Sequence, residues 1–171
     1  MPSDSFETNS DAGSALCMTC GLCCEDAFHS YAVLRPQDIK RARELGLPVL
    51  SGKQAGFALP CPKLVNCCCS IYSKRPWACE GYKCQLLIKV ETRQIEPDDA
   101  FAKVVVARNL FNQCERDKAA PVAEIGLIAA ERKLRSTTLR LYLDRHFMNP
   151  QDRKLVHQTI VRDTSSEILE I

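Results

Sequence analysis

Residues 17–24 read CMTCGLCC, four cysteines in eight positions, and residues 61–84 answer with CPKLVNCCCSIYSKRPWACEGYKC. Ten of the 11 cysteines in the 171-residue chain fall between Cys17 and Cys84, so the front half is sulfur-rich and the rear half ordinary. The N-terminal stretch MPSDSFETNSDAGSA is polar and acidic with no charged-then-apolar leader, which predicts a cytoplasmic protein. Thiols there stay reduced, so this density of sulfur points to metal or redox chemistry rather than disulfides. An odd number of cysteines also leaves one thiol over in any complete disulfide scheme.

Spacing sharpens the metal reading. Cys17, Cys20 and Cys23 are set at C-x2-C-x2-C, a gap that lets paired thiolates turn towards one ion, with Gly21 supplying backbone freedom. The run shares three positions with the iron–sulfur run of ferredoxins, but its fourth cysteine, Cys24, is adjacent to the third. Neighbouring cysteines ligate one ion only with strain, so Cys23 and Cys24 are expected to face different metals, or one of them to bridge. In the second run Cys61, Cys69, Cys79 and Cys84 are separated by turns that Pro62 and Pro76 stiffen. Arg75 reads either as a donor to the sulfurs of an anionic cluster or as a surface ion-pair partner.

Taken in order, C17-x2-C20-G21-x-C23-C24, C61-P62-x-L64 and C69-x-I71-Y72-x2-R75-P76-x2-C79 resemble the CxxCxxCC family of zinc- or iron-chelating domains, also called YkgJ-like cysteine-cluster proteins. The resemblance covers roughly residues 17 to 84. It implies a small bacterial protein that binds zinc or an iron–sulfur cluster through Cys17, Cys20, Cys23, Cys24, Cys61, Cys69 and Cys79. Cys84 extends the set, as in a subset of relatives. Thiolate sulfur selects such soft or borderline metals over magnesium or calcium. A related module occurs in flagellin lysine methylases. Methyl transfer is not carried over, because no glycine-rich nucleotide-binding turn follows a strand here. Cys67 and Cys68 are extra to the pattern. They enlarge the cluster, substitute for a neighbour, or pack beside it.

The remaining chain excludes several classes. The net charge is +2, with nine Lys/Arg against eight Asp/Glu in residues 1–84 and 14 against 13 in residues 85–171. That even mixture lacks the basic stripe of a nucleic-acid binder. No apolar run approaches the roughly 18 to 20 residues that span a bilayer. Neither a Ser-His-Asp order nor a phosphate loop is present. His29, His146 and His157 read as structural, Glu25 and Asp26 as turn caps, Tyr72 and Trp77 as cover over the cluster, and Cys114 as a small buried hydrophobe.

The expected fold is mainly α. Residues 1–14 form a disordered lead and 15–171 one domain, with a cysteine-rich metal-binding part (15–96) and a helical part (97–171). Pro36 to Gly46 predicts a helix, and the proline-broken stretch around Cys61 and Cys69 a tight loop or two very short strands. CQLLIKVE is ambiguous between helix and strand, with helix preferred because Pro97 and Asp98 then open a second one. Helices are expected over 97–116, with Phe101, Val104, Val105, Arg108 and Phe111 at helical spacing, and over 121–149 with a break near Ser136–Thr137. A last helix is expected over 151–162. A structural centre would contribute on the order of 10 kcal/mol, so the front half is expected to be disordered without metal. Three functions fit: a metal-binding protein in metal handling or a metal-stabilised interaction, an iron–sulfur enzyme or electron carrier, and an adaptor with structural zinc that binds a protein partner through its rear helices.

Overall fold

The computed structural model describes residues 9–52, 54–119 and 127–149. The chain is mainly α, as expected, with six helices and two small antiparallel sheets among the described residues. Helix α1 (Asn9–Cys20) turns Gly13, Leu16 and Cys20 inward, a periodic face too poor in large apolar side chains to be legible in the sequence. It takes in residues 9–14 of the expected lead; residues 1–8 lie outside the described residues. The helix stops because Gly21 adopts φ 62°, and a 3₁₀ turn, Leu22–Cys24, carries the chain on.

Strand β1 (Tyr31–Val33) pairs with β2 (Gly56–Ala58), Ala32 opposite Phe57, with α2 (Asp38–Glu44) folded between them. Three-residue strands carry too little alternation to announce themselves, and this pair was not expected. The two very short strands expected around the second cluster are β3 (Leu64–Val65) and β4 (Cys68–Cys69). Pairing of Val65 with Cys68 leaves Asn66 and Cys67 as a two-residue turn, both with positive φ (49° and 66°). After the single turn of α3 (Trp77–Glu80), Cys84 caps α4 (Gln85–Glu91) by accepting the Leu87 N–H on its sulfur at 3.4 Å.

Helices α5 (Pro97–Ala119) and α6 (Leu127–His146) form an antiparallel hairpin, pinned near its closed end by Arg135 Nε donating to Asp117 Oδ2 at 2.7 Å. The inward face of α5 is Ala100, Val104, Ala107, Phe111 and Cys114. Val105, one position from that face, is exposed instead of inward. The break expected near Ser136–Thr137 is absent. Thr137 and Thr138 donate to the carbonyls of Lys133 and Leu134 at 2.8 and 2.9 Å, which satisfies their hydroxyls inside a continuous helix. Residues 120–126 and the helix expected over 151–162 lie outside the described residues. No helix among the described residues is long and apolar enough to cross a membrane.

Two cores result. The larger joins Leu16, Cys20 and Leu22 to Leu86, Val90, Val104, Phe111, Leu143 and Phe147, and so draws on both sides of residue 96. The smaller gathers Leu34, Ala42, Leu47 and Phe57, with Ile71, Ala78 and Cys79 at its margin. Phe147 holds the hairpin to the front of the molecule. Its ring is 1% exposed and lies 5.9 Å from that of Phe28, and its carbonyl accepts the Gln85 N–H at 2.7 Å. Replacing Phe147 by Ala is expected to cost about 3–5 kcal/mol, measured as a lowered midpoint in urea unfolding.

Candidate metal centre

Between the two cores lies a cavity of about 350 Å³. All eight sequence-predicted cysteines line it, together with Cys67, and most of the remaining wall is apolar or aromatic. Cys68 and Cys114 are outside it: the first is exposed on β4, the second buried in α5, as expected of a small hydrophobe. As the side chains stand, no three His, Cys, Asp or Glu among the described residues converge on one ion-sized point. The thiols instead surround a shared volume.

The cysteines reach this volume from two walls. Cys20 and Cys84 belong to the larger core, where one closes α1 and the other caps α4. Cys61 and Cys79 pack on the smaller core. Cys23 and Cys24 both lie in the 3₁₀ turn. At three residues per turn, consecutive side chains there diverge by about 120°, so the vicinal pair cannot aim at one point.

Mutual electrostatics follows the same division. Burial pushes Cys20 and Cys24 up to about 12 and Cys79 and Cys84 up to about 11, from an ordinary 9.0, and it raises Cys17, Cys23 and Cys61 as well. Neighbouring thiolates add to the shift. Cys23 feels Cys84, Cys20 and Cys17 ahead of its sequence neighbour Cys24, whereas Cys24 feels Cys61, Cys69 and Cys79 ahead of Cys17. Such influence falls with distance. Cys17 stands between the groups, interacting with Cys69 as well as raising Cys20 and Cys84.

The donor chemistry fits a soft metal. Buried thiols in an apolar wall are poor acids until a cation replaces their protons, and here they are the dominant donors. A charge partner is already in place: Arg75 lines the cavity, its positive charge favours the Cys17 thiolate, and its guanidinium lies over the Tyr72 ring at 3.8 Å. Its Nε is buried without a hydrogen-bond partner.

The family description "Putative zinc- or iron-chelating domain", CxxCxxCC, matches residues 16–104, which is 89 of the 171 residues. The chain belongs to the CxxCxxCC family. No curated protein and no solved structure matches the chain. Metal binding is therefore the property that the family and the cavity share.

Other expectations within this CxxCxxCC site need adjustment. Tyr72 lines the cavity and favours the Cys17 thiolate, and so does more than cover it. Trp77 lines the cavity but remains 50% exposed, with the Arg35 guanidinium over its ring. His29 also lines the cavity and meets the ring of Tyr82 edge-on at 5.1 Å. Glu25, read as a turn cap, accepts from Arg108 Nη1 at 2.6 Å. Arg108, read only as part of a helical face, also reaches the Cys20 carbonyl (3.4 Å) and the Cys67 sulfur (2.7 Å). No local signal announces a contact across 83 residues, whereas Asn66 before Cys67 was a legible turn signal.

Gly21 joins the two segments at the backbone. An added Cβ there would come within 2.6 Å of the Cys67 carbonyl oxygen, at a φ that side chains disfavour. Gly21→Ala is expected to cost about 1–3 kcal/mol, read as a lowered thermal midpoint, together with a reduced metal content after purification. Metal affinity should also depend on pH in a defined direction. Thiols held at about 11 to 12 are protonated throughout pH 6–8, so each one that binds metal releases a proton. Apparent affinity is then expected to rise steadily from pH 6 to pH 8 in competition with a chelator whose own protonation is corrected for. A flat profile would show that these thiols do not bind the metal.

Proposed function

We propose that the chain is a metal-handling protein whose eight cysteines form two four-thiolate sets, Cys17, Cys20, Cys23 and Cys84 in one and Cys24, Cys61, Cys69 and Cys79 in the other. The observation that carries this reading is their common placement around one largely apolar cavity. The opposed walls and the pattern of thiol influence support the division into two sets.

Between zinc and iron, the arrangement of the thiols favours a polynuclear iron–sulfur centre. A tetrahedral zinc with Zn–S of about 2.3 Å draws its four sulfurs to within about 3.8 Å of one another. Here the thiols surround a shared volume, with no three converging on one ion-sized point among the described residues, and a cluster brings bridging atoms of its own. A bound cluster would supply one-electron chemistry. The residues of this chain would hold it, exclude water through the apolar wall, and offset its negative charge through Arg75. In the structural-zinc alternative, the exposed Leu134 and Leu141, two turns apart on α6, would be the partner face.

The deciding experiment is anaerobic purification followed by iron, sulfide and zinc analysis with a visible spectrum. We expect iron and acid-labile sulfide with broad visible absorption. A colourless protein with stoichiometric zinc would refute the cluster, and a metal-free protein would refute metal binding. Cys23→Ser and Cys24→Ser should each remove about half of the bound metal. Complete loss from either single variant would refute two separate sets.

A further inference from the structure

Cys67 sits where a turn ordinarily wants glycine. In the two-residue connection between β3 and β4, Asn66 and Cys67 both adopt left-handed φ. Asparagine suits the first of these positions and glycine the second, so the backbone gains nothing from a cysteine. The thiol, however, is engaged. Arg108 Nη2 donates to Cys67 Sγ at 2.7 Å. The other amino group of the same guanidinium donates to Glu25 at 2.6 Å and to the Cys20 carbonyl at 3.4 Å. Cys20 and Glu25 belong to the first cysteine segment, Cys67 to the second, and Arg108 to α5. The side chains of Arg108 and Glu25 are only 14% and 19% exposed. A single planar cation thus ties both segments together from a third element, and Gly21, next to Cys20, packs against the backbone of the same Cys67.

We propose that Arg108 is a positioning residue for the metal centre, acting through Cys67: its guanidinium latches the β3–β4 turn onto the end of α1 and sets the rate at which metal leaves. The proposal rests on the metal-centre reading above and adds to it a control point that is not itself a ligand. Releasing the latch leaves all eight proposed ligands in place, so the amount of metal bound is preserved. What changes is how readily the two segments part. Arginine is specific to the task, because its fork reaches three acceptors in fixed directions and a lysine ammonium does not.

The test compares wild type with Arg108→Gln, Arg108→Lys, Cys67→Gly and the double variant Arg108→Gln/Cys67→Gly, all purified anaerobically. Metal per chain is measured first, then the rate of transfer to excess chromogenic chelator. Metal content is expected to match wild type. Release should accelerate by about tenfold or more in Arg108→Gln and in Cys67→Gly, with the double variant no faster than either alone. Arg108→Lys should recover only part of the difference. Cys67→Gly is the sharpest arm, since glycine relieves the left-handed position and should raise backbone stability while still hastening release. Unchanged release in that variant, or rates that multiply in the double variant, overturns the latch. Should wild type carry no metal, the metal reading fails separately. The latch is then judged on urea midpoints of the same proteins: non-additive midpoints support it and additive ones overturn it.

Discussion

Eight thiols withdrawn from water around one chamber are the constraint on which the rest of this structure depends. Burial, with neighbouring sulfurs adding to it, pushes Cys20 and Cys24 up to about 12 and Cys79 and Cys84 up to about 11, so these thiols stay protonated at neutral pH. An apolar wall does nothing to reverse that. A chain that gathers so many soft donors in such a place suits a metal cation, which takes the place of their protons. The local irregularities then make sense together. Helix α1 stops at Gly21, a 3₁₀ turn replaces regular helix at Cys23 and Cys24, and a two-residue turn brings Cys67 beside them.

Division of labour between the two cores gives the chamber its walls. The helical core would hold its shape without the metal: Leu16, Leu86, Val104 and Phe147 are buried by one another, each such side chain contributing about 1.5–3 kcal/mol. The smaller core has four fully buried side chains and two strands of three residues. That is little to offset the ordering of some fifty residues, at about 1–2 kcal/mol of backbone entropy each. Its stability must be drawn from the wall that Cys61 and Cys79 share with the chamber. Metal dependence is therefore expected to be uneven, concentrated in residues 30–80 rather than spread over the chain.

The sequence disclosed what was dense or periodic. Four cysteines in eight residues, a proline-stiffened second run, and apolar residues at helical spacing over 97–116 led to eight cysteines that the structure gathers around one cavity, and to the long helix it contains. It concealed what depends on contacts between distant segments. The inner face of α1 is built from glycine, cysteine and a single leucine, which carries almost no hydropathy signal. Val105 and Val104 are equally apolar, and packing within the larger core decides that Val104 is inward. Arg108 looked like an ordinary helical residue because its acceptors, Cys20, Glu25 and Cys67, lie more than 40 residues away. The CCC triplet was half legible. Its third member lines the chamber, its second faces solvent, and its first owes its position to a backbone conformation that composition does not report.

The vicinal pair Cys23–Cys24 explains why two sets would be built side by side rather than apart. Consecutive α-carbons are fixed about 3.8 Å apart, and the 3₁₀ turn sends their side chains in directions about 120° apart. One short turn can therefore supply a thiolate to each set, so that neither set can shift without displacing the other. Cys17 reinforces the link, because its thiol is influenced by Cys69 and itself acts on Cys20 and Cys84 as well as on Cys24 and Cys79. Two centres built in this way would each keep their own four thiolates while the shared peptide unit fixes their separation, a short route for moving an electron between them.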